Sequence, residues 1–181
     1  MLVSLTSHPD TPGPAIQIAV EILRPRTPAV ALRYIVSGDV SRVVTPAGHS
    51  RARADELWRT TCFEAFIEME GGAYCEINLS PTGAWAVYDF TAYREGMHAH
   101  AGAEMRDFGR TQDDTSLDVK ATFDLDRVVG EQPRPWRMGV SAVIEDVDGG
   151  ISYWALGHPP GKPDFHHPDS FALTLPPPEP A

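Results

Sequence analysis

Apolar and polar residues alternate with a period of two along most of the chain, the mark of half-buried β-strands. In IQIAVEIL, Ile16, Ile18, Val20 and Ile22 share one face; in VALRYIV, Val30, Leu32, Tyr34 and Val36 do the same. The Pro-broken stretch RPRTP at 24–28 separates these two strands. Residues 37–56 hold Gly, Pro, Ser and several Arg, and read as a long excursion with a short helical turn around Arg53–Trp58.

CFEAFIEM and AYCEINL follow, joined by Glu70-Gly71-Gly72. Their register matters, because a slip of one residue inverts the faces of a strand. A three-residue turn sets Phe63, Ala65 and Ile67 beside Cys75, Ile77 and Leu79, whereas a two-residue turn sets them beside Glu76 and Asn78. The first register makes a coherent apolar face and is preferred. It puts Cys62 and Cys75 on opposite faces, which speaks against a disulfide. It also gathers Glu64, Glu76 and Asn78 with Phe66 and Tyr74 on the other face.

Ser80-Pro81-Thr82-Gly83 has Pro and Gly where a type I turn wants them. AWAVYDF is the next strand, residues 91–102 are a loop, and AEMRDF is a short strand. LDVKATF turns Leu117, Val119, Ala121 and Phe123 inward; a helical turn over Asp124–Val129 and a Pro-broken connection over 130–135 follow. WRMGVSAVIE and ISYWAL pair around a turn shaped by Asp146 and Asp148. A histidine-rich loop, His158–Ser170, precedes a last strand, FALTL. About nine or ten short strands with Pro/Gly punctuation predict an all-β fold, an antiparallel β-sandwich or jelly roll. It forms one domain over 1–176, with a disordered tail at 177–181.

Composition narrows the function. The chain has 181 residues and a formal net charge of −10, which speaks against nucleic acid and anionic membrane as partners. The N-terminal stretch lacks a basic segment followed by a sustained apolar one, so the cytoplasm is the expected compartment. No phosphate loop, dinucleotide fingerprint, nucleophile elbow or metal motif occurs, so no cofactor or metal is expected.

Three groups of residues could carry chemistry. Trp58 with Glu64, Glu76 and Asn78 could stack on a sugar ring and take its hydroxyls; the alternative puts Trp58 in the core and the carboxylates in water. The segment HPPGKPDFHHPDSF concentrates His158, Lys162, Asp164, His166, His167 and Asp169 near Trp154. It could form a binding rim, or its Asp and His residues could simply cap turns. Arg94, near Tyr88, Asp89 and Tyr93, could clamp a carboxylate or two hydroxyls, or pair with a surface acid.

These residues carry a resemblance. LWRTTCFEAFIEMEGGAYCEINLSPTGAWAVYDF resembles the DOMON-like superfamily, in particular the branch related to family 9 carbohydrate-binding modules. SYWALGHPPGKPDFHHPDSFALTL is similar to a small bacterial DOMON-like group. Together they cover most of residues 15–175. The resemblance implies a β-sandwich that binds sugars or, in some extracellular branches, haem. In the sugar-binding branch a Trp precedes an acidic strand motif, which places Trp58 before Cys62-Phe63-Glu64; a later strand carries an Asn, here Asn78 in NLSPTG. Trp154 is the candidate for the second Trp of the aromatic clamp. Thr60-Thr61 stands where an acidic pair would be, which weakens a calcium site. No motif selects Met69, Met97, Met105 or a loop His as a haem ligand.

The leading expectation is non-catalytic binding of a saccharide or similar polyhydroxylated small molecule. Two alternatives stand beside it. One is a hydrolase or isomerase using Glu64 or Glu76 with a loop histidine. The other is a structural or protein-interaction module that could form a homodimer through a sheet face.

Overall fold

The computed structural model describes residues 1–25, 28–125 and 134–178. Twelve strands are present among them: β1 (Leu2–Ser7), β2 (Ile16–Leu23), β3 (Ala29–Gly38), β4 (Cys62–Glu68), β5 (Tyr74–Leu79), β6 (Trp85–Phe90), β7 (His98–Ala99), β8 (Ala103–Gln112), β9 (Ser116–Leu125), β10 (Trp136–Glu145), β11 (Ile151–Ala155) and β12 (Leu173–Leu175). All their ladders are antiparallel, in the order β7-β6-β5-β4-β10-β11-β1-β2-β3-β9-β8, with β12 added to β10. No helix among the described residues is long and apolar enough to cross a membrane.

The path folds into two layers. One sheet holds β2, β3, β9 and β8; the other holds β7, β6, β5, β4, β10, β11 and β12. Strand β1 pairs with both, through β2 and β11, and closes one side. The alternating residues of β2, β3 and β9 supply one half of the core: Ile18, Val20, Ile22, Val30, Leu32, Tyr34, Val36, Val119 and Phe123 are buried. Phe63, Ala65, Ile67, Cys75, Ile77 and Leu79 face them from β4 and β5. The expected antiparallel β-sandwich is therefore the fold.

The β4–β5 register is the one that the apolar pattern selected, with Phe63 opposite Leu79, Ala65 opposite Ile77 and Ile67 opposite Cys75. Cys62 and Cys75 are both free and belong to the two different apolar clusters on either side of the sheet. The turn after β5 closes as expected: the Gly83 N–H donates to the Ser80 carbonyl at 2.9 Å, with Gly83 at φ +91°. Asp146 shapes the β10–β11 turn by accepting from the Asp148 N–H, and Arg42 bonds both carboxylates.

Several elements differ from expectation. Strand β1 was not anticipated, because LVSLTS has only Leu5 buried and lacks a clean alternation. The 91–102 loop contains the two-residue β7, and the AEMRDF strand runs on to Gln112. The helical turn near Trp58 is a single 3-10 turn, Leu57–Arg59. Within the expected turn over Asp124–Val129, Asp124 and Leu125 belong to β9 and the rest lies outside the described residues. So do 130–133 of the Pro-broken connection and 179–181 of the tail.

One side chain ties the two layers together directly beneath the outer face. The Tyr34 hydroxyl, on β3, donates to the Glu64 carbonyl at 2.6 Å, and its ring stacks on Phe63 at 4.7 Å. Tyr34 is fully buried, so its hydroxyl has no water to turn to. Tyr34→Phe is expected to cost about 1 kcal/mol, read as a fall of roughly 2–4 °C in the thermal midpoint. An unchanged midpoint would show that this bond does not join the layers.

Candidate functional site

The second sheet is buried on both faces. Its outer face carries a separate apolar cluster of Cys62, Phe66, Tyr74, Ala86, Tyr88, Phe90, Val143, Ala155, Phe165 and Phe171. The Leu57–Arg59 turn, the loop after β6 and the loop after β11 cover this cluster. Gly139 on β10 lets the last of these lie close, since a Cβ there would meet the Ser170 carbonyl at 3.0 Å.

A cleft of about 360 Å³ opens between these covers. Its lining includes Trp58, Glu64, Glu76, Phe90, Arg94 and His166, with Met97, Val143, Tyr153, Pro163 and Phe165 completing the walls. The volume is that of a small-ligand site, and apolar walls with a few convergent polar groups are its usual make-up. Concavities of 460 and 600 Å³ on the outer face of the other sheet are larger, but Glu21, Arg33 and Lys120, which line both, are exposed or partly exposed. The smaller cleft is the better candidate because two of its polar groups, Glu64 and Glu76, are buried.

The registers explain the floor. Glu64 lies opposite Asn78 on one side and Ser141 on the other; Glu76 lies between Phe66 and Tyr88. Glu64 is 3% exposed and Glu76 4%. Asn78 lies beneath, where its Nδ2 donates to Glu76 Oε1 at 2.7 Å. Glu64 Oε1 has no hydrogen-bond partner among the described residues. Burial, and then the neighbouring Glu76 carboxylate, push the Glu64 carboxyl well above its ordinary range. Burial also raises Glu76, to about 7, against the opposing effects of Asn78 and Arg94.

The rim is a hydrogen-bonded chain. The Arg94 N–H donates to the Tyr74 hydroxyl at 3.1 Å. That hydroxyl lies 2.7 Å from His166 Nδ1, a bond whose direction is set by the tautomer of the ring. In the tautomer whose Nδ1 accepts from Tyr74, the ring proton sits on Nε2, 4.0 Å from Glu76 Oε2. Burial, and then the Arg94 charge, lower His166 to about 4, so its ring is neutral near pH 7. Burial also raises Tyr74, to about 12, which keeps its hydroxyl a donor.

Asp164 holds the two loops together. It accepts from Tyr93 Oη, Arg94 Nη2 and the His166 N–H. Burial opposes its ionisation, but these donors outweigh that and hold Asp164 below its ordinary value. Arg94 itself sits in the left-handed region at φ +56°. Trp58 is half-buried and stands edge-on to Tyr88, with centroids 6.0 Å apart.

The structure thus brings Trp58, Glu64, Glu76, Arg94 and His166 to one cleft, with Asn78 beneath it and Asp164 behind its rim. Four expected residues lie elsewhere. Trp154 faces the inner core: it is 6% exposed and its Nε1 donates to Ser152 Oγ, so it is no ligand platform here. His158 donates through Nε2 to the Thr6 carbonyl and packs edge-on to His8. His167 caps the 3-10 turn Pro168–Ser170 by accepting from the Asp169 N–H. Lys162 is exposed and does not line the cleft.

Tyr74, Phe90, Tyr153 and Phe165 were missed as site residues. Tyr153 adjoins Trp154 on β11, so the same alternation that turns the Trp inward turns the Tyr outward.

Among the described residues one cluster has metal-ligating side chains: Cys75, Asp89 and His100, with donor atoms within 4.8 Å of one another. It lies away from the cleft, since Cys75 belongs to the inner core. Asp89 already bonds His100 Nδ1 at 2.8 Å, and burial raises the Cys75 thiol well above its ordinary value. A metal needs the thiolate, which this setting disfavours.

No family model and no curated protein matches the chain. Among solved structures, it is similar to a putative carbohydrate-binding protein from Bacteroides uniformis. The TM-score is 0.65 and the identity 14%, over 94% of this chain and 83% of that one. Two structures of a family 9 carbohydrate-binding module from Caldicellulosiruptor kristjanssonii, one with glucose and one with cellotriose, align with a TM-score of 0.49 at 10% identity. They cover 83% of this chain and 71% and 70% of theirs. At the first of these identities the likeness is one of fold, and the β-sandwich that the sequence resemblance implied is the fold that the chain shares with the Bacteroides protein.

Proposed function

We propose that the protein reversibly binds a saccharide or similar polyhydroxylated small molecule in the cleft over β4, β5 and β6, with no covalent step. One observation carries this reading: two buried carboxyl groups, one with an unpartnered oxygen, lie in a cleft with a half-buried Trp. Trp58 would stack on the apolar face of a ring. Glu64 and Glu76 would take hydroxyl protons, and Arg94 and His166 Nε2–H would donate to ring or hydroxyl oxygens. Asn78 and Asp164 would act indirectly, by holding Glu76 and Arg94. The Bacteroides protein of the same fold is described as a putative carbohydrate-binding protein, which agrees with the reading.

Isothermal titration calorimetry against a panel of mono- and disaccharides tests it. At least one is expected to bind, and Trp58→Ala to weaken that binding about tenfold while leaving the fold intact. If no sugar binds, or if Trp58→Ala binds as tightly as wild type, the reading fails.

A second reading has one observation in its favour. Glu76 and His166 face one cleft at 4.0 Å with oppositely shifted pKa values, an arrangement that general acid–base catalysis also uses. Turnover of a bound sugar, lost in Glu76→Gln with binding retained, would favour the enzyme.

A further inference from the structure

We propose that the cleft recognises a protonated amine, so that the molecule it binds is an amino sugar in preference to a neutral one. The inference rests on the reading of this cleft as a saccharide site and names the class of saccharide.

Charged and polar groups surround the cleft from several elements. Strand β4 contributes Glu64 and the Cys62 thiol, and β5 contributes Glu76 and the Tyr74 hydroxyl. Strand β10 contributes the Ser141 hydroxyl, opposite Glu64, and β6 contributes the Tyr88 hydroxyl, opposite Glu76, which donates to Asp55, itself paired with Arg53. The loop after β6 contributes Arg94, and the loop after β11 contributes Asp164 and His166. Arg94 and Asp164 form a pair at 2.8 Å, so they offset each other. His166 is neutral. Two carboxyl groups remain with no ion pair to an Arg or Lys among the described residues; Arg94 acts on Glu76 only through its charge.

Packing does not explain this pair. Two neighbouring carboxyls under 5% exposed lose hydration and repel each other when ionised, so as structural elements they are a liability. A neutral hydroxyl can satisfy one oxygen but brings no charge. An ammonium brings three donors and a positive charge, which suits the unpartnered Glu64 Oε1 and the Glu76 carboxylate together. The aromatic walls fit the same ligand. Trp58, Phe90, Tyr153 and Phe165 bring aromatic surface to its walls, which suits a cation or the C–H face of a sugar.

Calorimetry on the full chain at about pH 6 tests the proposal with matched probes. D-glucosamine is compared with D-glucose, and cyclohexylammonium with cyclohexanol. Each amine is expected to bind about tenfold more tightly than its hydroxyl counterpart or better. Binding is expected to release protons, seen as a heat that changes with the buffer, because the cation drives the carboxyls to ionise. Glu64→Gln is expected to abolish the preference. Should that variant fold poorly by thermal unfolding, Glu76→Gln gives the same comparison. An amine that binds no better than its hydroxyl counterpart overturns the proposal, and so does the absence of binding by both amines. Sugar binding without amine preference would leave the saccharide reading standing alone. An amine preference seen only with the cyclohexyl pair would keep the cation site and remove the saccharide.

Discussion

Glu76→Gln is expected to stabilise the protein above neutral pH, although it removes a residue of the site. Burial raises the Glu76 carboxyl from 4.5 to about 7 in the folded protein. The folded state therefore holds this proton more tightly than the unfolded chain does. Stability is full below the ordinary carboxylate range and falls as pH climbs from about 4.5 to about 7. That difference corresponds to a loss of about 3 kcal/mol, complete at roughly pH 8. A Gln avoids the loss and can still accept from Asn78 Nδ2. Its thermal midpoint at pH 8 is expected to exceed that of wild type by roughly 6–12 °C, with little difference near pH 4.5. His166 acts in the opposite sense: its proton is held less tightly in the folded state, so its effect falls between the ordinary histidine range and about 4. Comparing the variant with wild type at each pH cancels that contribution. A midpoint at pH 8 equal to or below that of wild type would contradict the burial argument. Buried groups that lower stability belong to function more often than to the fold.

Asp164→Ala is expected to weaken ligand binding and the fold together. Its carboxylate accepts from Tyr93, Arg94 and the His166 N–H, and so links the loop after β6 to the loop after β11. It is 17% exposed, so water only partly replaces what it offers. Hydrogen bonds to a charged group contribute about 1.5–3 kcal/mol, and loss of the hub is expected to cost about 2 kcal/mol of stability. Arg94 and His166 would then lose their fixed positions, with a fall in affinity of roughly 30-fold for any ligand that both residues touch. Asp164→Asn, which keeps an acceptor but loses the charge, is expected to fall between the two. Titration calorimetry and thermal unfolding of the same preparations read both effects. An affinity unchanged in Asp164→Ala would show that the rim does not depend on this link.

The fold was legible where one face of a strand is buried. Ile16–Ile22, Val30–Val36 and Leu117–Phe123 alternate cleanly because their sheet has one face toward the core and one toward solvent. The second sheet is covered on both sides, so β4 and β5 are almost wholly buried and polarity no longer marks the faces. The β4–β5 register could still be read, because Glu64, Glu76 and Asn78 stand out against apolar neighbours. In ISYWAL nothing marks the faces in that way, and Trp154 was placed toward the ligand where Tyr153 belongs. Glu64, Glu76, Trp58, Arg94 and His166 were legible as candidates by residue type and resemblance. Their convergence was not, because it depends on how two loops fold back over the sheet. His158 and His167 show the converse: they share the loop with His166, but each bonds backbone away from the cleft, His158 the distant Thr6 carbonyl and His167 the Asp169 N–H.

The central claim is that this cleft is the ligand site, and the four tryptophans of the protein make it directly testable. Trp136 and Trp154 are buried in the inner core, and the Trp85 Nε1–H donates to the Arg51 carbonyl away from the cleft. Trp58 alone among them lines it. The indole signals in a nitrogen–proton correlation spectrum, assigned by single substitution, should therefore respond unequally to D-glucosamine or to a sugar that calorimetry identifies. The account predicts that the Trp58 signal shifts and saturates with the calorimetric affinity while the other three hold their positions. A Trp58 signal that stays fixed when the ligand is saturating would contradict it.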